Sequence, residues 1–370
     1  MRYKIAIIIG TRAELIKTFP VMLELQRKNI PYYFIHTGQH SLGDFCELFG
    51  VKRPDKTLYE EPKKSSRFHS KVGKAIFWNL GLLLKIKKEL KKLKGLKYVM
   101  YHGDTMTTAT AAMASSKIAN PGKKYKNVHL EAGLRSENLR EPFPEEIARK
   151  IADSFSDILL TVSERGCKNM KRYEGKKNIC LVGNTIMDSV DNALKIAKKR
   201  KIKPISKERF ALITVHRHEN IKNKKRLEKI LKIFEALSIP SYFAMHDNTK
   251  AKLVKHGLWN KLKSLKNIKI IKPLDYINFI YQMSKCSLIV CDGGSMQEES
   301  LIFKKPCIVL RKATERQEGL DTNFQFLSEL KIKDTQEKIK EYLDKGFKIK
   351  KFKNPYGKKG VSKKIVEILK

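Results

Sequence analysis

Short apolar runs alternate with longer amphipathic stretches along the whole chain. In the first half, "YKIAIII" (3–9), "PYYFIH" (31–36), "KYVMY" (97–101), "NVHL" (127–130) and "ILLTV" (158–162) predict strands. Runs of this length, rich in β-branched and aromatic residues, suit strands buried on both faces. Helices are predicted over 14–28, 41–49, 69–94, 106–117, 144–154 and 164–173. The scheme then repeats, with strands near 209–215, 240–245, 267–271, 287–291 and 306–310 and helices between them. Alternating β and α elements of this kind predict parallel sheets covered on both sides. Two such series in tandem predict two doubly wound domains facing across a cleft, and a length of 370 residues favours two cores over one. The Lys-rich stretch "KKRKIKPISKE" (198–208), broken by Pro204, reads as the linker. The expected domains are therefore 1–198 and 199–355, with a short amphipathic helix in 356–370 packing back on the first.

In doubly wound folds ligands sit beyond the carboxyl ends of the strands. After the first run comes "GTRAELIK" (10–17), where Gly10 allows close approach to the main chain and the helix start favours anions. Arg12 and Lys17 add two cations there. Later strand ends carry His36, Gln39 and His40; Asp104 in "HGDT"; Glu131 and Arg135 in "HLEAGLRS"; and Glu145 and Glu146 after Pro144. The second half supplies His216, Arg217, His218 and Glu219 in "TVHRHEN", then His246 in "MHDN". It continues with Gly293, Gly294, Ser295 and Glu299 in "CDGGSMQEES" and with Arg311, Glu315 and Arg316 in "LRKATERQEGL". Singly, each has a structural explanation: Asp104 could cap the helix from 106, and Glu145 and Glu146 could complement a helix dipole. Their recurrence at corresponding strand ends favours a site. "GGSMQEE" entering a helix offers N–H groups to a phosphate, with Arg12 and Arg316 as opposing cations. Glu299 can accept hydrogen bonds from ribose hydroxyls. Asp104, Glu131, Glu145 and His216 remain as titratable groups for proton transfer.

Composition narrows the partners. A formal net charge of +40 could mark a polyanion binder, but the Lys residues are spread along the whole chain. No zinc-finger or RNA-recognition signature accompanies them, so the charge reads as a solvated surface that draws in a dianionic substrate. No nucleic-acid partner is expected. The apolar then Lys-rich segment 75–97 reads as a core helix with a basic face, in preference to an interfacial one. No apolar run reaches the eighteen or so residues of a membrane span, and the N-terminal run lacks a cleavage site, so no stable membrane insertion is expected. Six scattered Cys without a C-x-x-C pair point to free thiols in a reducing cytoplasm.

In order along the chain, "GTRAELIK", "GQH", "HGDT", "HLEAGLRS", "PEEIAR", "VGNT", "HR.E", "QEE" and "TERQE" resemble the UDP-N-acetylglucosamine 2-epimerase family, the non-hydrolysing branch in particular. The resemblance runs from Gly10 to about Gly319, with "NPYG" at 354–357. It implies the GT-B fold: two Rossmann-like doubly wound domains with the active site in the cleft between them. It further implies an isomerase that interconverts UDP-GlcNAc and UDP-ManNAc by eliminating and re-adding UDP, with no nicotinamide cofactor and no metal. A cytoplasmic homodimer serving cell-surface polysaccharide biosynthesis is the family expectation. By the same resemblance Asp104, Glu131 and Glu145 are the proton-transfer carboxylates, and His216 stabilises the departing diphosphate. Arg12, Lys17 and Arg149 line the sugar and phosphate pocket; Phe279 contacts uracil, Glu299 the ribose, and Arg316 belongs to the active site. The sequence departs from the family at Ala13, where Pro is common, and at "DGGS", where "DSGG" is usual. It also has "FAMHDN" in place of "PVHLNP", with His246 retained. No second Gln follows Gln39 at the spacing of the bacterial regulatory site, so that site is not expected. Three rival readings stay open: a hydrolysing epimerase releasing ManNAc, a 2-epimerase of another UDP-sugar such as a diacetamido uronic acid, and a GT-B glycosyltransferase.

Overall fold

The computed structural model of the chain describes residues 3–38, 41–59, 71–138 and 144–370. Each apolar run named above forms a strand, and the chain divides into two compact units. One unit comprises Met1–Ser189 with Pro355–Lys370, the other Val190–Asn354.

The first unit holds β1 (Ile5–Ile9), β2 (Tyr32–His36), β3 (Lys56–Thr57), β4 (Tyr98–His102), β5 (Lys126–Ala132), β6 (Ile158–Thr161) and β7 (Asn178–Leu181). They form one parallel sheet in the order β3-β2-β1-β4-β5-β6-β7. The second unit holds β8 (Ala211–Thr214), β9 (Ser241–Ala244), β10 (Ile268–Ile271), β11 (Leu288–Cys291), β12 (Cys307–Val309) and β13 (Gln325–Leu327). These are also parallel, ordered β10-β9-β8-β11-β12-β13. Strand order reverses between β1 and β4 in one sheet and between β8 and β11 in the other. Those two switch points are where doubly wound sheets open a crevice for ligands.

Central strands are apolar for a physical reason: helices cover both faces, so every side chain of β1 and β11 is buried. Each large apolar side chain so buried contributes about 1.5–3 kcal/mol. In the second unit Ile213, Leu231, Phe234, Phe243, Val290 and Ile308 share one core.

The helix Ile186–Lys199 buries Ile186, Val190, Ala193 and Ala197 along one stripe. That stripe keeps it helical to Lys199, and the division between units falls inside it, earlier than the expected boundary after 198. At the other end of the chain, the helix Val361–Ile368 packs on the helix Arg12–Arg27 and buries Val361, Ile365 and Val366. Asp188 ties it down, accepting hydrogen bonds from Gly360 N at 2.6 Å, Ser362 N at 2.7 Å and Ser362 Oγ at 2.6 Å. Among the described residues, no helix is long and apolar enough to cross a membrane, and no cluster of three His, Cys, Asp or Glu could hold a metal.

Candidate active site

At the first switch point, "GTRAELIK" resolves into a strand end, a turn and a capped helix. Thr11 and Glu14 form a reciprocal capping box, the T-x-x-E pattern at the start of the helix Arg12–Arg27. The buried Glu14 carboxylate does more than cap. Its Oε2 accepts Gly10 N at 2.6 Å and Thr11 N at 2.9 Å. Its Oε1 accepts the hydroxyls of Thr105 and Thr108 from the loop and helix after β4. Burial raises the Glu14 pKa, against the lowering effect of these hydrogen bonds. Gly10 is needed for close approach, though by the protein itself: a Cβ there would lie 2.6 Å from Thr107 Oγ1 and 2.8 Å from Thr37 Oγ1.

The helix Met106–Ser115 is capped by Thr105, whose hydroxyl accepts Thr108 N at 3.1 Å. The cap reading of Asp104 is thereby corrected, and its carboxylate is turned instead to Arg149, which donates Nη2–H to Oδ2. Arg149 is almost fully buried, and its Nη1 lies 3.6 Å from Glu131 Oε1. Lys17 Nζ donates to the other oxygen of Glu131. One largely buried chain of alternating charge, Lys17–Glu131–Arg149–Asp104, thus joins two helices, strand β5 and the loop after β4. Glu131 sits at φ 67°, a conformation uncommon outside glycine, where β5 slips its register against β6. His102 Nε2 lies 3.8 Å from the same carboxylate. Burial drives the His102 pKa down to about 3 despite the opposing charge of Glu131, so the ring is neutral. Glu145 opens the helix Glu145–Phe155, four residues before Arg149 and on the same helix face. Arg12 stands apart from this cluster: it is exposed, with Nε 3.2 Å from Ser41 O and its guanidinium 5.0 Å from the Phe45 ring centroid. Gln39 and His40 lie outside the described residues, as do residues 141–143 of the "EPFPEE" segment.

The second unit builds its switch point in a related way. Asp292, fully buried after β11, accepts His216 N at 3.1 Å and Arg217 N at 2.9 Å from the loop after β8. It also accepts Asn220 Nδ2 at 3.1 Å. The His216 ring is exposed by comparison, with 41% of its side chain open. It meets the His246 ring edge-on, with centroids 5.2 Å apart. Burial and the neighbouring His216 both lower the His246 pKa. Gly293 precedes the helix Gly294–Phe303, which has no side-chain cap, so the amides of Gly294, Ser295 and Met296 start it. A Cβ on Gly294 would meet Arg316 Nη1 at 2.8 Å, which places that guanidinium against the loop backbone. Arg316 donates Nε–H to Glu298 at 3.1 Å and pairs with Glu315, while Arg311 Nη2 lies 3.1 Å from Glu315 Oε2. Glu299 is buried beside the Tyr276 hydroxyl, whose pKa burial and Glu299 together raise well above its ordinary value. Phe279, half-buried, follows on the helix Tyr276–Lys285.

The sequence profile described as UDP-N-acetylglucosamine 2-epimerase matches residues 23–370. The chain belongs to this family. UDP-N-acetylglucosamine 2-epimerase of Methanocaldococcus jannaschii is 35% identical, the alignment covering 99% of this chain and 98% of the relative. A crystal structure of the M. jannaschii UDP-GlcNAc 2-epimerase in complex with UDP-GlcNAc and UDP is similar over 99% of both chains, with a TM-score of 0.80 and 33% identity. The structure of the Neisseria meningitidis enzyme bound to UDP-GlcNAc matches over 99% of both chains, with a TM-score of 0.76 and 28% identity. The fold is accordingly of the GT-B class, with two Rossmann-like domains. Residues that the sequence reading did not single out are Glu14, Thr105, His102, Asp292 and Tyr276. The capping-box pattern could have flagged Glu14; Asp292 was visible only as part of a glycine loop, because a buried acceptor of main-chain N–H groups has no pattern of its own.

Proposed function

We propose that this member of the epimerase family interconverts UDP-GlcNAc and UDP-ManNAc. The observation that carries the proposal is the largely buried Lys17–Glu131–Arg149–Asp104 chain at a switch point of the first sheet. Epimerisation at the carbon bearing the N-acetyl group must remove a weakly acidic proton. A carboxylate takes that proton, the C–H electrons form a C1=C2 double bond, and the C1–O electrons leave with UDP. Return of a proton to the opposite face and re-addition of UDP at C1 restore the sugar with inverted configuration. Nothing is oxidised or reduced in the cycle. Asp104, Glu131 and Glu145 serve as the carboxylates of proton transfer, with Arg149 and Lys17 holding the first two in a fixed geometry. Arg12 adds a cation for the sugar diphosphate at the mouth of the same unit.

In the second unit His216 and the amides of Gly293, Gly294 and Ser295 stabilise the charge that develops on the departing diphosphate. Arg316 supports that loop from behind, Glu299 accepts ribose hydroxyls and Phe279 packs on uracil. We further assign a homodimer, supported by Leu80 and Leu84, which stand exposed one turn apart on the helix Lys71–Lys92. Six free thiols fit a reducing cytoplasm. An activated ManNAc fits a role in building cell-surface polysaccharide.

Proton NMR of the protein with UDP-GlcNAc in heavy water tests the reaction. The expected result is UDP-ManNAc with deuterium at the epimerised carbon and no free sugar. Free ManNAc would instead establish the hydrolysing reaction, and no exchange would overturn the assignment to this substrate.

A further inference from the structure

The loop that carries Asp104 is held from behind by a histidine. His129 lies on β5, opposite Tyr101 of β4, and is fully buried. Its Nε2 is 2.8 Å from the carbonyl oxygen of Gly103, the residue immediately before Asp104. Its Nδ1 is 2.7 Å from Asp153 Oδ1 on the helix Glu145–Phe155. A carbonyl oxygen only accepts hydrogen bonds, so Nε2 must carry a hydrogen. The other ring nitrogen faces a carboxylate whose second oxygen receives Arg135 Nη2 at 2.5 Å. Burial alone would raise the Asp153 pKa, but His129 and Arg135 outweigh it and leave the carboxyl below its usual range.

We propose that His129 is a positioning residue: its buried ring, bonded to Asp153 on one side and to the Gly103 carbonyl on the other, fixes the Asp104 loop for proton transfer. The charged and titratable groups around it are Asp153 and, beyond it, Arg135 and Lys177, with Tyr101 and His102 on the neighbouring strand. Nothing moves on or off the ring during turnover; its function is to hold an oxygen still. Glu131 follows two residues later on the same strand, so one side chain anchors the two segments whose carboxylates Arg149 joins. The inference rests on the proposed role of Asp104.

Variants at both ends of the contact test the role. In His129→Gln and Asp153→Asn we expect kcat per folded molecule to fall about tenfold or more, with KM changed less than about threefold. Amide hydrogen exchange at Asp104 and Thr105 should quicken in both. An unchanged kcat in the folded variants, or unchanged exchange at the loop, overturns the proposal. If His129→Gln does not fold, Asp153→Asn carries the test. Failure of the wild-type protein to turn over UDP-GlcNAc would overturn the epimerase reading instead, and the exchange measurement would still decide whether His129 anchors the loop.

Discussion

The two sheets solve the same problem at their switch points with opposite economies of charge. In each, a buried carboxylate stitches together the loops that the reversal of strand order leaves apart. Glu14 accepts from Gly10, Thr11, Thr105 and Thr108 in the first unit, and Asp292 accepts from His216, Arg217 and Asn220 in the second. Beyond the stitch they diverge. The first unit packs Lys17, Glu131, Arg149 and Asp104 into a nearly dry chain, where each charge is compensated by the next. The second leaves His216 half-open beside main-chain amides. On the proposed roles, the groups that move protons are shielded and fixed, whereas the groups that receive a charged diphosphate stay reachable.

Substitutions can break this contrast. Asp104→Asn should lower kcat by about a thousandfold, within the range of a lost acid–base group, while UDP affinity measured by calorimetry stays within about threefold. Activity within about tenfold of wild type would remove Asp104 from proton transfer. Arg149→Met leaves the buried Glu131 and the partly buried Asp104 without their shared cation. It should cost about 3 kcal/mol in urea unfolding, because breaking a buried pair strands a charge, and kcat should fall with it. His216→Asn is the counterpart in the open unit: about a hundredfold loss in kcat with an unchanged melting temperature. Equal destabilisation by Arg149→Met and His216→Asn would abolish the contrast between the two units.

The last prediction concerns pH. Burial holds the folded-state pKa of His102 at about 3, below the ordinary 6.5. The stability this group contributes is whole above its unfolded pKa and is lost as pH falls toward the folded value, by at most about 1.4 kcal/mol per pH unit. His102→Gln should therefore gain on the wild type in urea unfolding as pH is lowered from about 7 to about 5. A constant difference across that span would show that the ring is not held neutral.

How much of this could be read from the sequence follows from burial. The central strands were legible because helices on both faces demand continuous apolar runs. Strands β3, β7 and β13 were not, and all three are edges: Lys56 and Thr57 are both exposed, and only the middle two residues of Asn178–Leu181 are partly covered. Asp104 and Glu131 stood out because strand ends with several charges are unusual, and Arg149 only through the family resemblance. Their pairing did not, since nothing in the spacing of residues 104, 131 and 149 says that Arg149 reaches both acids. The same holds for Glu14, whose capping-box partner is local but whose second pair of donors lies some ninety positions away.

The tie between Asp188 and the helix Val361–Ile368 has a consequence for the order in which the molecule can be made. The first unit includes Pro355–Lys370, so it is discontinuous in sequence. On the ribosome its sheet can form early, but the flank of the helix Arg12–Arg27 that receives Val361, Ile365 and Val366 must wait until the whole second unit has been synthesised. Until then Asp188 has no Gly360 or Ser362 to receive, and an apolar strip of the nascent chain faces water. The second unit, continuous from Val190 to Asn354, can complete its fold before the first one does.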